Sequence, residues 1–263
     1  MPDRSTPVPT LHLPSIIRTL TPLATVLAAA CGPTGGDRSA PAQVRAIRTV
    51  PVASTSSADA PVVVELYQSQ GCSSCPPANA NVNALVDRPD VLALSFGVTY
   101  WDKLGWTDSF ARPEYTARQW DYAKTAGRGN VATPQVVING GDKPIVGSNP
   151  KQLTAAISAA GSPKGGPEIL VAAEAVRLGA GKGASTVWLV RYDPKVRQVA
   201  INAGENGGRT LPHRAVVRQL VRLGDWKGAP VQFALPSATE PGLKSAVLVQ
   251  RGAGGPITAA RRV

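Results

Sequence analysis

The sequence predicts an α/β fold in its first half and a β-rich, sandwich-like fold in its second. Two observations lead there. Between residues 61 and 160, short runs rich in β-branched residues alternate with segments of helical composition, the pattern of a sheet with a parallel core. From 165 to 263 the chain falls into short apolar runs separated by Gly/Pro turns, which is the spacing of a small β-sandwich.

The elements follow in order. "PVVVELY" (61–67) reads as a buried strand, and "GCSSCPP" (71–77) follows it directly. "PPANANVNALV" (76–86) is a modest helix, since Pro76 and Pro77 are tolerated in a first turn. "VLALSFGV" (91–98) is a second buried strand, followed by the aromatic loop "YWDKLGWTDSFARPEY". Residues 113–127 form a helix opened by Pro113 and closed by Gly127. "TPQVVING" (133–140) and "KPIVG" (143–147) are two strands joined at Asn139-Gly140. "NPKQLTAAISAAG" (149–161) is a helix with Asn149 at its N-cap and Gly161 at its end. "SPKGGP" (162–167) is the expected linker between a domain at 61–162 and one at 166–263. In the second region, "HRAVVRQLVRLG" is the one segment expected to be helical.

The N-terminus has the layout of an export signal, residues 1–31: Arg4 and Arg18, then the charge-free "TLTPLATVLAAAC". Cys31 after three alanines resembles a lipoprotein cleavage site, so the chain is expected to be exported to the periplasm or cell envelope. It is then either cleaved or attached to the membrane through a lipid on Cys31. Residues 32–60, rich in Pro, Ser, Thr, Ala and Gly, read as a flexible tether. The net charge of +11 is uneven. Residues 61–165 carry nine basic and eight acidic side chains, whereas 166–263 carry fourteen and six. No Lys/Arg run is dense enough for a nucleic-acid arm, so nucleic acid is not an expected partner.

With Cys31 set apart, Cys72 and Cys75 are alone in an oxidising compartment. Zinc needs about four ligands, and the chain offers only His12 and His213 besides the pair. Covalent haem needs a histidine after the second cysteine, and position 76 is proline. Neither cofactor nor metal is therefore expected. A short clip closes almost no loop entropy and adds little stability. A redox pair gains from its position: the helix N-terminus stabilises a Cys72 thiolate, and Cys75, deeper in, resolves a mixed disulfide. Cys72 is accordingly expected to be the accessible thiol. A Cu(I)-handling role is the further alternative, disfavoured by Met1 being the only methionine. Tyr100, Trp101 and Asp102 follow the second strand, where ligands favour open α/β sheets. They form either a substrate groove, with Asp102 moving the Cys75 proton, or a packed aromatic loop. Glu205, Asn206, Arg209 and His213 line a cleft or simply surround a solvated hairpin turn at Asn206-Gly207.

The order strand, CxxC, helix, strand, helix, Thr-Pro, two strands, helix resembles the thioredoxin-like fold. The stretches "VVVELYQSQGCSSCPPA", "YWDKLGWTDSFARPEYTARQ", "TPQVVING", "GENGGRTLPH" and "AVLVQRGAGGPI" are similar to a bacterial family of secreted thioredoxin-like proteins catalogued as a domain of unknown function. The resemblance implies a thioredoxin-like domain followed by a β-rich one. It also implies a cis bond at Thr133-Pro134 facing the cysteines. Cys72, Cys75 and Pro134 are then the catalytic candidates, with Thr133 beside them in the substrate seat. The implied partners are protein thiols or disulfides and a redox partner not yet identified. The implied function is extracytoplasmic thiol–disulfide exchange, the alternative being a non-catalytic binding protein with a static disulfide. The chain departs from the family at Gly97 and Thr99, where members commonly carry His and Asp. If those groups assist proton transfer, catalysis here is altered.

Overall fold

The computed structural model describes residues 60–263. The expected export segment 1–31, with His12 and Cys31, and the expected tether 32–60 except Ala60 lie outside the described residues. The described residues belong to one compact unit.

Strand β1 (Val62–Gln68) is buried along its whole length. It pairs in parallel with β2 (Val91–Gly97) and antiparallel with β3 (Gln135–Ile138). Burial on both faces explains why these strands read as continuous apolar runs without alternation. The expected strand at 143–147 is reduced to a bridge between Val136 and Ile145. Pro144 has no N–H to continue a ladder, and Gly147 turns the chain with φ +82°. Three helices lie among these strands: α1 (Cys75–Asn83), α2 (Pro113–Thr125) and α3 (Pro150–Ala160). The Asn149 side chain caps α3 by accepting from the backbone N–H of Lys151 and Gln152.

The second region is all strand: β4 (Ile169–Ala172), β5 (Ala175–Leu178), β6 (Ser185–Asp193), β7 (Arg197–Ile201), β8 (Arg209–His213), β9 (Val216–Trp226), β10 (Val231–Ala234), β11 (Lys244–Gln250) and β12 (Ile257–Arg262). The expected helix at 213–224 is instead most of β9. Its spaced apolar residues imitate a helical stripe, but pairing with β6 from Ser185–Trp226 to Asp193–Val216 overrides that pattern.

The main sheet runs across the expected boundary between the two domains. Four strands from the second region and three from the first form one seven-stranded mixed sheet, in the order β12-β11-β6-β9-β2-β1-β3. The two halves meet at one register pair, Ser95 with Val216, and at a bond from Ser95 N to the Ala215 carbonyl. A Gly/Pro-rich linker marks a turn in the chain, but says nothing of which strands later become neighbours.

Alternation along β11 then fixes the layers. Ala246 and Leu248 join the core of β1, β2, α1, α2 and α3, while Val247 and Val249 join a second core. That second core holds Ile169, Val176, Leu178 and Trp226, so the small sheet β10-β5-β4 covers the other face.

The first core contains a charged cluster that the sequence reading did not find. Arg118 Nε donates to Glu65 Oε1 at 2.9 Å, and the Tyr122 hydroxyl donates to Glu65 Oε2. Arg118 also reaches Gln250 Oε1 at 2.9 Å, and Gln250 Nε2 donates to the Tyr122 oxygen at 3.0 Å. All four residues are buried. Residues from β1, α2 and β11 therefore satisfy one another, as buried charge requires.

Candidate functional site

β1 and β2 run in parallel, so the loops after Gln68 and Gly97 leave the sheet at the same end. β3 runs the opposite way, so the segment that enters it, Ala132–Pro134, lies at that end too. Topology alone thus brings together the cysteine loop, the aromatic loop and Thr133-Pro134.

Cys72 and Cys75 form a disulfide with Cα atoms 5.4 Å apart, inside the usual range. Helix α1 starts at Cys75, with Ser74 at its N-cap, so Cys72 lies three residues ahead of the helix. Cys72 Sγ is 3.3 Å from Ser74 Oγ and 3.8 Å from the Thr133 carbonyl oxygen. The Thr133–Pro134 bond is cis, the geometry the resemblance implies. Trp101 Nε1 donates to Thr133 Oγ1 at 2.7 Å. Cys72, Thr133, Pro134 and Trp101 are thereby brought to one place. Tyr100 packs at the edge of the first core, and its phenol is pushed up by burial.

Two expectations require correction. Cys72 is not the exposed thiol: it is 0% exposed, and Cys75 is 1% exposed. The turn between β7 and β8, about 130 residues away in sequence, docks on the same loop through Asn206 and Glu205. Asp102 does not face the cysteines through any of its hydrogen bonds. Its Oδ1 accepts from Asp108 N at 3.1 Å and so ties the aromatic loop to itself.

The loop 69–75 is held mainly by the aromatic loop and by Glu205, Asn206 and Arg209, the cleft reading of those three residues. Asp108 accepts from Gln70 N at 2.7 Å and from Phe110 N at 2.8 Å. Burial pushes the Asp108 carboxyl up to about 6, against the lowering effect of those N–H groups. Gln70 Oε1 accepts from Trp106 Nε1 at 2.9 Å, and Gln70 Nε2 donates to Ser109 Oγ at 3.1 Å. Asn206 is fully buried, and its amide donates to the carbonyls of Gln70 and Cys72, both at 2.9 Å. Arg209 in turn donates to Asn206 Oδ1 at 2.7 Å. Glu205 Oε2 accepts from Ser73 N at 3.0 Å and Ser73 Oγ at 2.7 Å, which holds its carboxyl below the usual range. The 205–206 pair is therefore more than a solvated turn: it clamps the disulfide loop.

His213, at the end of β8, packs behind α1. Its Nδ1 accepts from Asn79 Nδ2 at 2.9 Å, and its ring lies edge-on to Phe110. Burial pushes its pKa down to about 4, so the ring is neutral. The two departures are also accounted for. A Cβ on Gly97 would come within 2.8 Å of Ala111 N, so the backbone at 110–111 fills the space a side chain would take. Thr99 is tied to α2 through Thr116, N to Oγ1 at 2.9 Å and Oγ1 to Oγ1 at 3.0 Å. Among the described residues there is no cluster of three or more His, Cys, Asp or Glu able to hold a metal.

The chain is similar to the crystal structure of a protein from Agrobacterium tumefaciens, with a TM-score of 0.64 and 30% identity over 77% of this chain and 93% of that one. It also overlaps HBP35 of Porphyromonas gingivalis, at a TM-score of 0.47 and 11% identity over 78% of this chain and 75% of that one. No curated protein matches it. A family model matches residues 63–250, and the chain belongs to that family, described as a protein of unknown function, DUF1223.

Proposed function

We propose that the protein is an extracytoplasmic, thioredoxin-like thiol–disulfide oxidoreductase working through Cys72 and Cys75. One observation carries this reading. The disulfide sits at the start of α1 where three loops converge, with the Thr133 carbonyl 3.8 Å from Cys72 Sγ. A structural staple would not need that setting, since a two-residue spacer closes almost no loop entropy.

In the reduced state, the Cys72 thiolate attacks one sulfur of a substrate disulfide. A Cys72–substrate bond forms, the substrate disulfide breaks, and the departing thiolate takes up a proton. The Cys75 thiolate then attacks Cys72 Sγ, so that Cys72–Cys75 is oxidised and the substrate leaves reduced by two electrons. Oxidised Cys72–Cys75 runs the same steps in reverse. Substrate main chain would lie beside Thr133 and Pro134 in the manner of strand addition, with Trp101 bracing Thr133. The signal-like layout of residues 1–31, ending at Cys31, supports a periplasmic or cell-envelope setting for this chemistry.

The test is a Cys75→Ala variant expressed in the native host. It is expected to hold substrates as reducible mixed disulfides on Cys72 that a double Cys→Ala variant lacks. The full burial of Cys72 favours a second reading, a binding protein with a static disulfide. Absence of trapped species, with a reduction potential below about −300 mV, would select it.

A further inference from the structure

We propose that the turn 203–208 occupies the seat of a substrate segment at the disulfide, and that the segment displacing it presents a carboxylate to Ser73. The inference rests on the oxidoreductase reading and adds to it a control on access and a class of substrate: an acidic polypeptide.

Cys72 is fully buried, and the turn is docked on its carbonyl and on Ser73 beside it. The turn's contacts are of the kind a bound peptide would make. One carboxylate oxygen spans a backbone N–H and a hydroxyl at Ser73, between the two cysteines. One amide group supplies both its hydrogens to the carbonyls of Gln70 and Cys72. These groups must find partners whenever the loop is covered, so a substrate that replaces the turn has to supply them again.

The contacts also differ in how easily they are given up. The Ser73–Glu205 pair is exposed, so water can take over its hydrogen bonds at little cost. Gly204 and Gly208 both have φ in the left-handed region, at +72° and +81°, so the turn is closed by residues free of side-chain restraint.

The experiment measures reduction of the oxidised full-length chain by dithiothreitol. A dithiothreitol thiolate attacks a cysteine sulfur, the Cys72–Cys75 bond breaks, and the freed thiolate is protonated. The second dithiothreitol thiol then closes its own ring and releases the remaining cysteine. Glu205→Ala and Ser73→Ala, each confirmed as folded by circular dichroism, are expected to be reduced several-fold faster than the native chain. Oxidised Glu205→Ala is then offered two cysteine peptides, acetyl-Gly-Glu-Cys-Gly-amide and its Gln counterpart. The Glu peptide is expected to open the disulfide several-fold faster. Unchanged dithiothreitol rates in both variants, or equal rates for the two peptides, would overturn the proposal. Neither rate depends on trapping substrates in the host. A failure of the Cys75→Ala test alongside faster reduction here would therefore count against the enzyme and not against the covering turn.

Discussion

The cluster around Arg118 and the loop around Cys72 are both places where the first and second halves of the chain meet, yet they are built on opposite terms. At Arg118 the charges are buried and saturated by partners from β1, α2 and β11. At Cys72 the second half contributes one buried amide and one exposed carboxylate, and covers a bond that can be broken chemically. The first arrangement gains nothing from opening, because opening would strand a charge. The second can open at the Ser73–Glu205 pair while leaving the rest of the fold intact. A contact built to hold and a contact built to be exchanged are thus told apart by burial and saturation, not by the number of bonds.

Removing Arg118 gives the largest effect and sharpens this distinction. Arg118→Met leaves Glu65 buried without its cation, and should cost about 3–5 kcal/mol, read as a lower urea midpoint. The disulfide of the molecules still folded should be reduced by dithiothreitol at the native rate. A change in that rate would mean that the two regions are coupled.

His213 gives the next effect and tests how firmly β8 holds the turn to α1. Its pKa is about 4 in the fold against 6.5 when free. The unfolded chain therefore binds the proton first, and stability from His213 is complete above pH 6.5 and lost as the pH falls to 4. The loss is about 3 kcal/mol. Asp108 runs the other way: its pKa is about 6 in the fold against 3.8. Its contribution is present in acid and lost as the pH rises from 3.8 through 6. Urea midpoints between pH 3.5 and 7.5 should show the two slopes opposing each other in the native protein. In His213→Gln the loss between pH 6.5 and 4 that comes from His213 should disappear, making the variant relatively more stable in acid than the native chain. An unchanged curve would refute this assignment.

The smallest effect concerns Gly97. Its missing side chain lets the 110–111 backbone approach, directly after Asp108, which holds Gln70. Gly97→Ala should cost about 1–3 kcal/mol through overpacking, and should loosen the aromatic loop before the Arg118 cluster. Hydrogen exchange at the Gln70 and Phe110 amides checks the order of loosening; a stability equal to that of the native chain would show that the loop shifts freely.

What could be read in the sequence was local. β1, β2 and the three helices announce themselves through apolar runs, prolines and the Asn149 cap, because those signals act within one or two turns of chain. What could not be read depended on distant partners. The stripe of Val217, Leu220, Val221 and Leu223 fits a helix as well as a strand, and only β6 decides it. Glu65 looks like a polar interruption in a buried strand until Arg118, 53 positions later, is folded over it. The cysteines were named from their own neighbourhood and Thr133 from the family resemblance, and they do converge. Asn206, which donates to the Cys72 carbonyl, had only its place in "GENGGRT" to mark it, where a cleft and an ordinary turn read alike.

The single bridged pair between β2 and β9 carries a consequence in terms of breathing. Hydrogen-bonded ladders open as cooperative units, and a sheet divides where its ladder is thinnest. Here that line runs between Ser95 and Val216, and the strands beyond it include β9, which continues directly from His213 at the end of β8. A fluctuation that parts this joint would slacken β8 against α1 and, through it, the turn over Cys72. How often the disulfide meets solvent would then depend on this thin joint in the sheet as well as on the Ser73–Glu205 pair.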